Sequence, residues 1–523
     1  MSPDDALAAL QPQHPMSISA MVGQTWDVVV VGAGHNGLTA AAYLARAGKS
    51  VLVLERRDRL GGAATLEEMW PGYVISPCAY LAGLLHPVVI DELQLRRRGL
   101  EIVVGDPSYF VPFQDGSHFT AWMDDAKTAA SIASFAPHDV AGHFRRQALF
   151  DRVRDALRPE SDDDLWLQHS PTRQQIEERL MHDPEALQLL FEDSQIDNLR
   201  RFYRDERMIA AYAGQGIIGI NASPFDPGTA SVDFYHGSGR QENRPGEWGF
   251  VMGGMGVVSA VLADAAAGAG AVIAIDLPVA RIRPGLGVEL ETGDLIRSRS
   301  VVSNADPATT LTLLGDEAPD GFRDAVEAVP IESAAAKVTF ALAALPDFGE
   351  PHATLAQIEI VRSPDAVHES YLAARRGEIS DEIWCELYLQ TPYDPSIAPP
   401  GKHVLSAFCQ YVPYSWADER SWDDHRDEVA ATVIRSIERF APGFSGLVEH
   451  VNVEGPPDLE DRLGLSGGHI FHGDIRPDHL WDNRLSYRTG APGVYLCGAG
   501  THPGGGVISA NGRNSARVVL ADL

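Results

Sequence analysis

Cysteine is scarce in these 523 residues and positive charge is outnumbered. The four cysteines, Cys78, Cys385, Cys409 and Cys497, stand far apart in sequence with no CxxC pair and no metal-ligand spacing. That excludes a disulfide framework, a dithiol redox centre and a sequence-encoded metal motif. Lysine plus arginine number 42 against 72 aspartate plus glutamate, a formal charge of -30, and the only basic cluster is Arg96-Arg97-Arg98. Such a balance repels polyphosphate, so nucleic acid is not an expected partner. There is no low-complexity tract, no repeat of fixed period and no apolar run long enough to cross a bilayer. The N-terminal MSPDDALAALQPQHP lacks the basic start and apolar stretch of a secretory signal, and the expected location is the cytoplasm. The apolar stretch from Ala79 to Leu95, with the arginines after it, is a candidate for peripheral membrane contact, against the better-supported reading of a core helix with a solvated end.

What is present is a chain too long for one hydrophobic core, with a composition of 45% apolar and 22% charged residues that is normal for a globular protein. Residues 26 to 62 read WDVVVVGAGHNGLTAAAYLARAGKSVLVLERRDRLGG. The run Val28 to Val31 predicts a parallel strand covered on both faces, Leu38 to Ala47 an alanine-rich helix capped by Gly48, and Val51 to Leu54 a second strand. Between strand and helix stand Gly32, Gly34 and Gly37 at GxGxxG spacing: one for the tight turn, one for approach of a pyrophosphate, one for close helix packing. Glu55 follows 18 residues after Gly37, where a carboxylate accepts hydrogen bonds from ribose hydroxyls. Gly61-Gly62 make a second glycine turn beyond that acid, suited to a ligand longer than the adenosine half.

The other end of the chain, GVYLCGAGTHPGGGVISANGRNSARVVLADL, predicts a strand at Val494 to Cys497, a glycine-rich turn and a closing helix from about Val507. Backbone N–H groups near Gly505, Gly506 and Val507 would stabilise negative charge gathering on a flavin ring.

Together the two ends resemble the FAD-dependent phytoene desaturase and amine oxidase superfamily, most of all its carotenoid-desaturase-like branch. The likeness extends to GGMGVVSAVLADAAAGAGAVI at 253–273, SRSVVSNADP at 298–307 and GGHIFHGDIRPDHL at 467–480. The resemblance implies that Val279 contacts the adenine. It implies that Gly32, Gly34, Gly37, Glu55, Arg56, Gly61 and Gly62 hold the AMP and diphosphate, and that Gly500, Thr501 and Val507 lie along the ribityl chain and flavin. It implies non-covalent FAD; Cys497 as an attachment point is the less favoured alternative to a buried strand cysteine.

The expected fold is α/β: a Rossmann-type FAD-binding domain interleaved with an α+β substrate domain carrying a mixed sheet and a helical cap. Its expected parts are a flexible tail at 1–25, FAD-binding segments at 26–105, 245–310 and 485–523, and substrate segments at 106–244 and 311–484. Helix-like spacing over 171–215 predicts the cap, and AAKVTFALAAL, IWCELYLQ and HVLSAFCQYV predict strands of the cavity floor.

Flavin chemistry needs no protein nucleophile, but a base helps where a proton must leave. His472 and His502 are the candidates, each set against a histidine that only fixes a loop. Tyr388, Tyr411 and Tyr414 are candidates to line the cavity. The expected activity is dehydrogenation or reduction of a small, largely apolar, polyene-like molecule. The alternatives are an amine oxidase using oxygen, a redox-neutral isomerase and a non-catalytic flavin-bearing protein.

Overall fold

The computed structural model describes residues 1–13, 16–241 and 244–523. The valine run becomes the strand Thr25–Val31, its last four residues buried. That strand pairs in parallel with Val51–Leu54 on one side and Leu295–Ser303 on the other. Val272–Ala274 extends the sheet beyond the first of these, and Val494–Leu496 pairs in parallel with the second. A parallel strand must be covered on both faces, which accounts for these near-continuous Val, Ile and Leu runs. The antiparallel strands Val279–Arg283 and Gly287–Leu290 complete seven strands.

The helix His35–Arg46 covers one face of this sheet, and the closing helix Ala510–Asp522 lies against it. Gly512 makes that contact possible, because a Cβ there would come within 2.2 Å of the Asn36 carbonyl oxygen. The closing helix starts at Ala510 rather than at about Val507. Val507 and Ser509 have positive φ, so the glycine-rich loop continues to the edge of the helix.

The second sheet also has seven strands, in the order Val448–Glu454, Ala335–Leu342, His403–Gln410, Trp384–Leu389, Gln357–Ile360, Tyr109–Pro112 and His118–Ala121. It is antiparallel except where Gln357–Ile360 runs parallel to Tyr109–Pro112. Helices from Val140–Leu157 to Ala230–His236 form the cap, with a shared apolar core. The architecture is therefore the expected α/β type, a Rossmann-type unit with a mixed-sheet substrate unit.

The expectation for the N-terminus changes. Residues 1–25 are not a flexible tail: Pro3–Leu10 and Ile18–Val22 are helical. Ala6 and Leu10, one turn apart, are buried with Met21, and the Leu10 carbonyl accepts the Leu60 N–H at 2.8 Å. His14 and Pro15 of that stretch lie outside the described residues. The Ala79 to Leu95 stretch has no apolar face left for a membrane, since Leu85, Val89, Ile90, Leu93 and Leu95 are all core. No helix among the described residues is long and apolar enough to cross one. Cys385 and Cys409, distant in sequence, face each other across adjacent strands as free, fully buried thiols.

Because Leu10 is fully enclosed, Leu10→Ala is expected to destabilise the protein by about 2–5 kcal/mol. Denaturant unfolding checks this, and an unchanged midpoint would show that the first helix is not part of the folded core.

Candidate active site

The C-terminal ends of the parallel strands open into a cavity of about 790 Å³. One arm is built by the glycine turn. Gly32 has φ +93°, and Gly37 packs so tightly that a Cβ would lie 2.3 Å from the Gly32 carbonyl oxygen. Gly34 is the N-cap of the His35–Arg46 helix and meets Gly61 in an isolated bridge. The free N–H groups of the helix therefore face the cavity, the arrangement that receives a diphosphate. Glu55 is held at the strand end, its two oxygens accepting the Ala33 N–H at 2.8 Å and the Arg57 N–H at 2.9 Å. Gly32, Gly34, Glu55, Arg56, Gly62 and Val279 all line this arm. Gly37 and Gly61 lie behind them and shape the turn rather than the wall. His35 Nε2 and Asn36 Oδ1 are buried at this helix start without a hydrogen-bond partner. Glycines that admit no Cβ, a placed carboxylate and orphaned polar atoms at a helix N-terminus together fit a dinucleotide.

Asn304 and Asp306, inside the segment SRSVVSNADP but not foreseen as site residues, complete the arm. Asn304 lies against Gly32, Gly34 and Gly37. Asp306 caps the helix Pro307–Leu314 through the Thr309 N–H at 2.7 Å and accepts the Ser466 N–H at 2.6 Å.

At the middle of the cavity stand Ala499, Gly506, Val507, Phe471 and His472. Gly500 and Thr501 sit just beneath: Gly500 packs on Pro307, and the Thr501 hydroxyl donates to the Gly498 carbonyl at 2.8 Å. His472 has φ +56° and an unpartnered Nδ1. Burial, offset in part by Asp306, pushes its pKa down to about 4, so the ring is neutral at neutral pH. His502 goes elsewhere: it is not in the cavity wall, and its Nε2 meets the Leu165 carbonyl in the cap at 2.8 Å. A proline-flanked turn directs its ring away from the cavity, and the expectation of a catalytic His502 is revised to a positioning one. Cys497 is buried among core side chains, outside the wall.

The second arm lies between the substrate sheet and the cap. Tyr80, Tyr109, Tyr212, Trp248, Phe250, Tyr388 and Phe408 wall it. Of the three tyrosines foreseen, only Tyr388 is there; Tyr411 bonds the Ala222 carbonyl in the core and Tyr414 bonds Glu460. The alternation of a strand places a row of side chains on one face: Lys337 opposite Phe408, Phe408 opposite Glu386, Glu386 opposite Glu359. Lys337 Nζ has no hydrogen-bond partner and rests 3.6 Å from the Tyr80 ring centroid. Burial pulls its pKa down to about 7. Glu386 accepts from Gln357 at 2.6 Å, Gln215 at 2.7 Å and Tyr388 at 2.7 Å. Glu359 accepts the Trp384 indole N–H at 2.5 Å. Burial, and for Glu359 also the neighbouring Glu386, raises both carboxyl groups above the ordinary range. Sequence reading missed this row. Its one signal was a lysine and a glutamate standing inside apolar strands.

A dinucleotide cradle at the C-terminal edge of a parallel sheet, continuous with a walled chamber, defines the class of flavin- or nicotinamide-type oxidoreductases. The model of the family described as "Flavin containing amine oxidoreductase" matches residues 37–520, and the chain belongs to that family, a family of flavin-bearing oxidoreductases. It is 34% identical to "Pyridine nucleotide-disulfide oxidoreductase domain-containing protein 2" of Mus musculus, over 95% of this chain and 94% of the mouse protein. It is 27% identical to "Phytoene desaturase (lycopene-forming)" of Pseudescherichia vulneris, over 95% of this chain and 99% of that one. Among solved structures, wild-type putrescine oxidase bound to putrescine shares the fold with a TM-score of 0.61 at 18% identity, covering 95% of this chain and 99% of that chain.

Six buried histidines are held below the ordinary imidazole value by burial: His35, His143 and His469 to about 3, and His236, His472 and His502 to about 4. Between about pH 6.5 and pH 4 the unfolded chain binds these protons and the folded chain does not, so acidification removes stability. Glu247, raised to about 7 by burial, acts in the opposite sense over the same range, as do Glu359 and Glu386. Since the histidines are the more numerous, the melting temperature is expected to fall from pH 7 to pH 5. Glu247→Gln, which removes one opposing group, should make that fall steeper. A melting temperature that rises on acidification would contradict the neutral state of these rings.

Proposed function

We propose that the chain binds FAD non-covalently and uses it to dehydrogenate a small organic molecule held in the tyrosine-walled chamber. The observation that carries this reading is the continuity of the cavity, which runs without a break from Glu55 and Val279 through His472 and Val507 to Tyr388 and Glu386. Bound FAD would supply the hydride acceptor. Gly32, Gly34, Glu55, Arg56, Gly62 and Val279 would hold its adenylate and diphosphate, and Val507 and His472 would flank its redox half.

The chain's own part is to bind, orient and receive a proton. Tyr80, Trp248, Phe250 and Phe408 give the substrate an apolar bed and keep water from the reacting carbon. Lys337, near its titration point at neutral pH and without an internal partner, can take the proton that leaves the substrate. His472, neutral and less basic, serves as an acceptor of hydrogen bonds.

The preferred substrate is largely apolar, as the likeness to phytoene desaturase over nearly the full length supports. A second reading, oxidation of an amine, is favoured by the aromatic walls together with Glu386 and Glu247 in the chamber, since carboxylates suit an ammonium group better than a hydrocarbon.

The visible spectrum of the purified protein, before and after denaturation, tests the cofactor, and flavin bands released by denaturation are the expected result. Anaerobic bleaching by a polyene or by an amine then chooses between the substrates. Bleaching by neither would favour a non-catalytic flavin carrier. Lys337→Met should leave the flavin spectrum intact and slow bleaching by about 100-fold or more. Unchanged single-turnover kinetics would remove Lys337 from the chemistry.

A further inference from the structure

We propose that His118, Glu350 and His352 form a binding site for a divalent transition-metal ion such as zinc on the outer face of the substrate sheet. Their ligating atoms all lie within 4.8 Å of one another. The Glu350 carboxylate stands 4.0 Å from Nδ1 of His118 and 3.7 Å from Nδ1 of His352. These separations are too long for hydrogen bonds, so the three groups converge without satisfying one another. They suit a shared ion: zinc held tetrahedrally at about 2.0–2.1 Å brings its ligands to about 3.3 Å apart. Reaching that spacing asks Glu350 to close on each histidine by less than an ångström, and the two histidines, within 4.8 Å of each other, by about 1.5 Å at most. All three side chains are partly exposed, at 32%, 37% and 23% for His118, Glu350 and His352, which leaves them room to move and the ion a path from solvent.

The surroundings orient the ligands. His118 and Thr120 share one face of the strand His118–Ala121 by its period of two, and Trp122 follows just beyond. His352 packs over that face: its Nε2 meets the Thr120 hydroxyl at 3.3 Å and its ring lies 4.8 Å from that of Trp122. The His118 ring stacks on Phe110 at 5.4 Å. A hydrogen bond to the second nitrogen of a ligating imidazole is the usual support in a metal centre, and here the Thr120 hydroxyl supplies it. Two imidazoles and a carboxylate form a donor set for zinc and its first-row neighbours, not for calcium or magnesium.

The site has a structural consequence for the chamber. Tyr109 and Ala121 of the same hairpin, and Leu355 just after His352, line the cavity from the other side. An ion here would tie the 350–355 segment to the hairpin from outside and stiffen that wall. His118 and His352 are far apart in sequence, and for that reason no spacing motif announces the site.

The test uses tag-free flavin-loaded protein, stripped with EDTA, dialysed against micromolar zinc and analysed for metal by atomic emission. One zinc per chain and a raised melting temperature are expected for the wild type. His118→Ala, His352→Ala and the conservative Glu350→Gln should each lose the ion while keeping the flavin spectrum and far-ultraviolet circular dichroism. Thr120→Val, which frees the His352 ring, should weaken binding by about tenfold. The proposal is overturned if the wild type retains no more zinc than these folded variants, whether because none binds or because all bind alike.

Discussion

The whole molecule depends on where the parallel strands end. Val31, Leu54, Ser303 and Leu496 finish side by side, and the chain leaves that edge in hydrogen-bonded steps. Gly32 N–H donates to the Leu54 carbonyl at 2.8 Å, Asn304 N–H to Val31 at 2.8 Å and Cys497 N–H to Ser303 at 2.9 Å. Three segments hundreds of residues apart are thereby fixed to within a hydrogen bond of one another. Everything the cavity presents to a ligand hangs from these loops. A one-residue slip in any pairing would move the glycine turn, the Asn304–Asp306 loop or the glycine-rich C-terminal loop out of line and carry each side chain of the slipped strand to the opposite face of the sheet, into packing made for its neighbour.

That constraint explains why the first glycine turn was so legible. Its demands are local: a positive φ at Gly32, no Cβ at Gly37, an acid at the end of the next strand. Each is written as a residue type at a fixed spacing, so the strand, turn, helix and acid at residues 26–62 were readable one by one. The strands of the substrate sheet were readable too, because buried runs such as AAKVTFAL and HVLSAFCQ carry β-branched and aromatic residues. The N-terminal helix was missed because Pro3–Leu10 is only two turns of acidic, proline-bearing chain, and the single pair Ala6 and Leu10, one turn apart, is too short a run to read as a period.

The chamber was the least legible part, and the reason is physical. Lys337, Phe408, Glu386 and Glu359 become a row only through the register of four neighbouring strands, of which Ala335–Leu342 pairs out of sequence order with His403–Gln410. No local pattern encodes that register. The same holds for Asn304, whose role comes from packing against glycines more than 260 residues earlier, at Gly32, Gly34 and Gly37. His502 shows the opposite error. Its place in the glycine-rich turn made it look functional, yet the turn directs the ring toward the cap, where a carbonyl of Leu165 holds it.

The polar row also says what kind of chamber this is. A cavity evolved only for hydrocarbon gains nothing from a lysine without a partner or from two adjacent carboxyl groups, because each costs desolvation that no internal ion pair among the described residues offsets. Hydrogen bonds from Gln215, Gln357, Tyr388 and Trp384 satisfy the acids without neutralising them. The folded chain therefore carries Lys337 and Glu386 near their titration points at neutral pH, where a proton can be gained or lost at small cost, while burial and the neighbouring Glu386 hold Glu359 well above the ordinary carboxyl range. Dehydrogenation removes a hydride and a proton together, so a chamber for that reaction needs somewhere for the proton to go. Under the dehydrogenation proposed above, Lys337 and Glu386 in the chamber wall would provide it, while the glycine loops at the strand ends leave room for the cofactor.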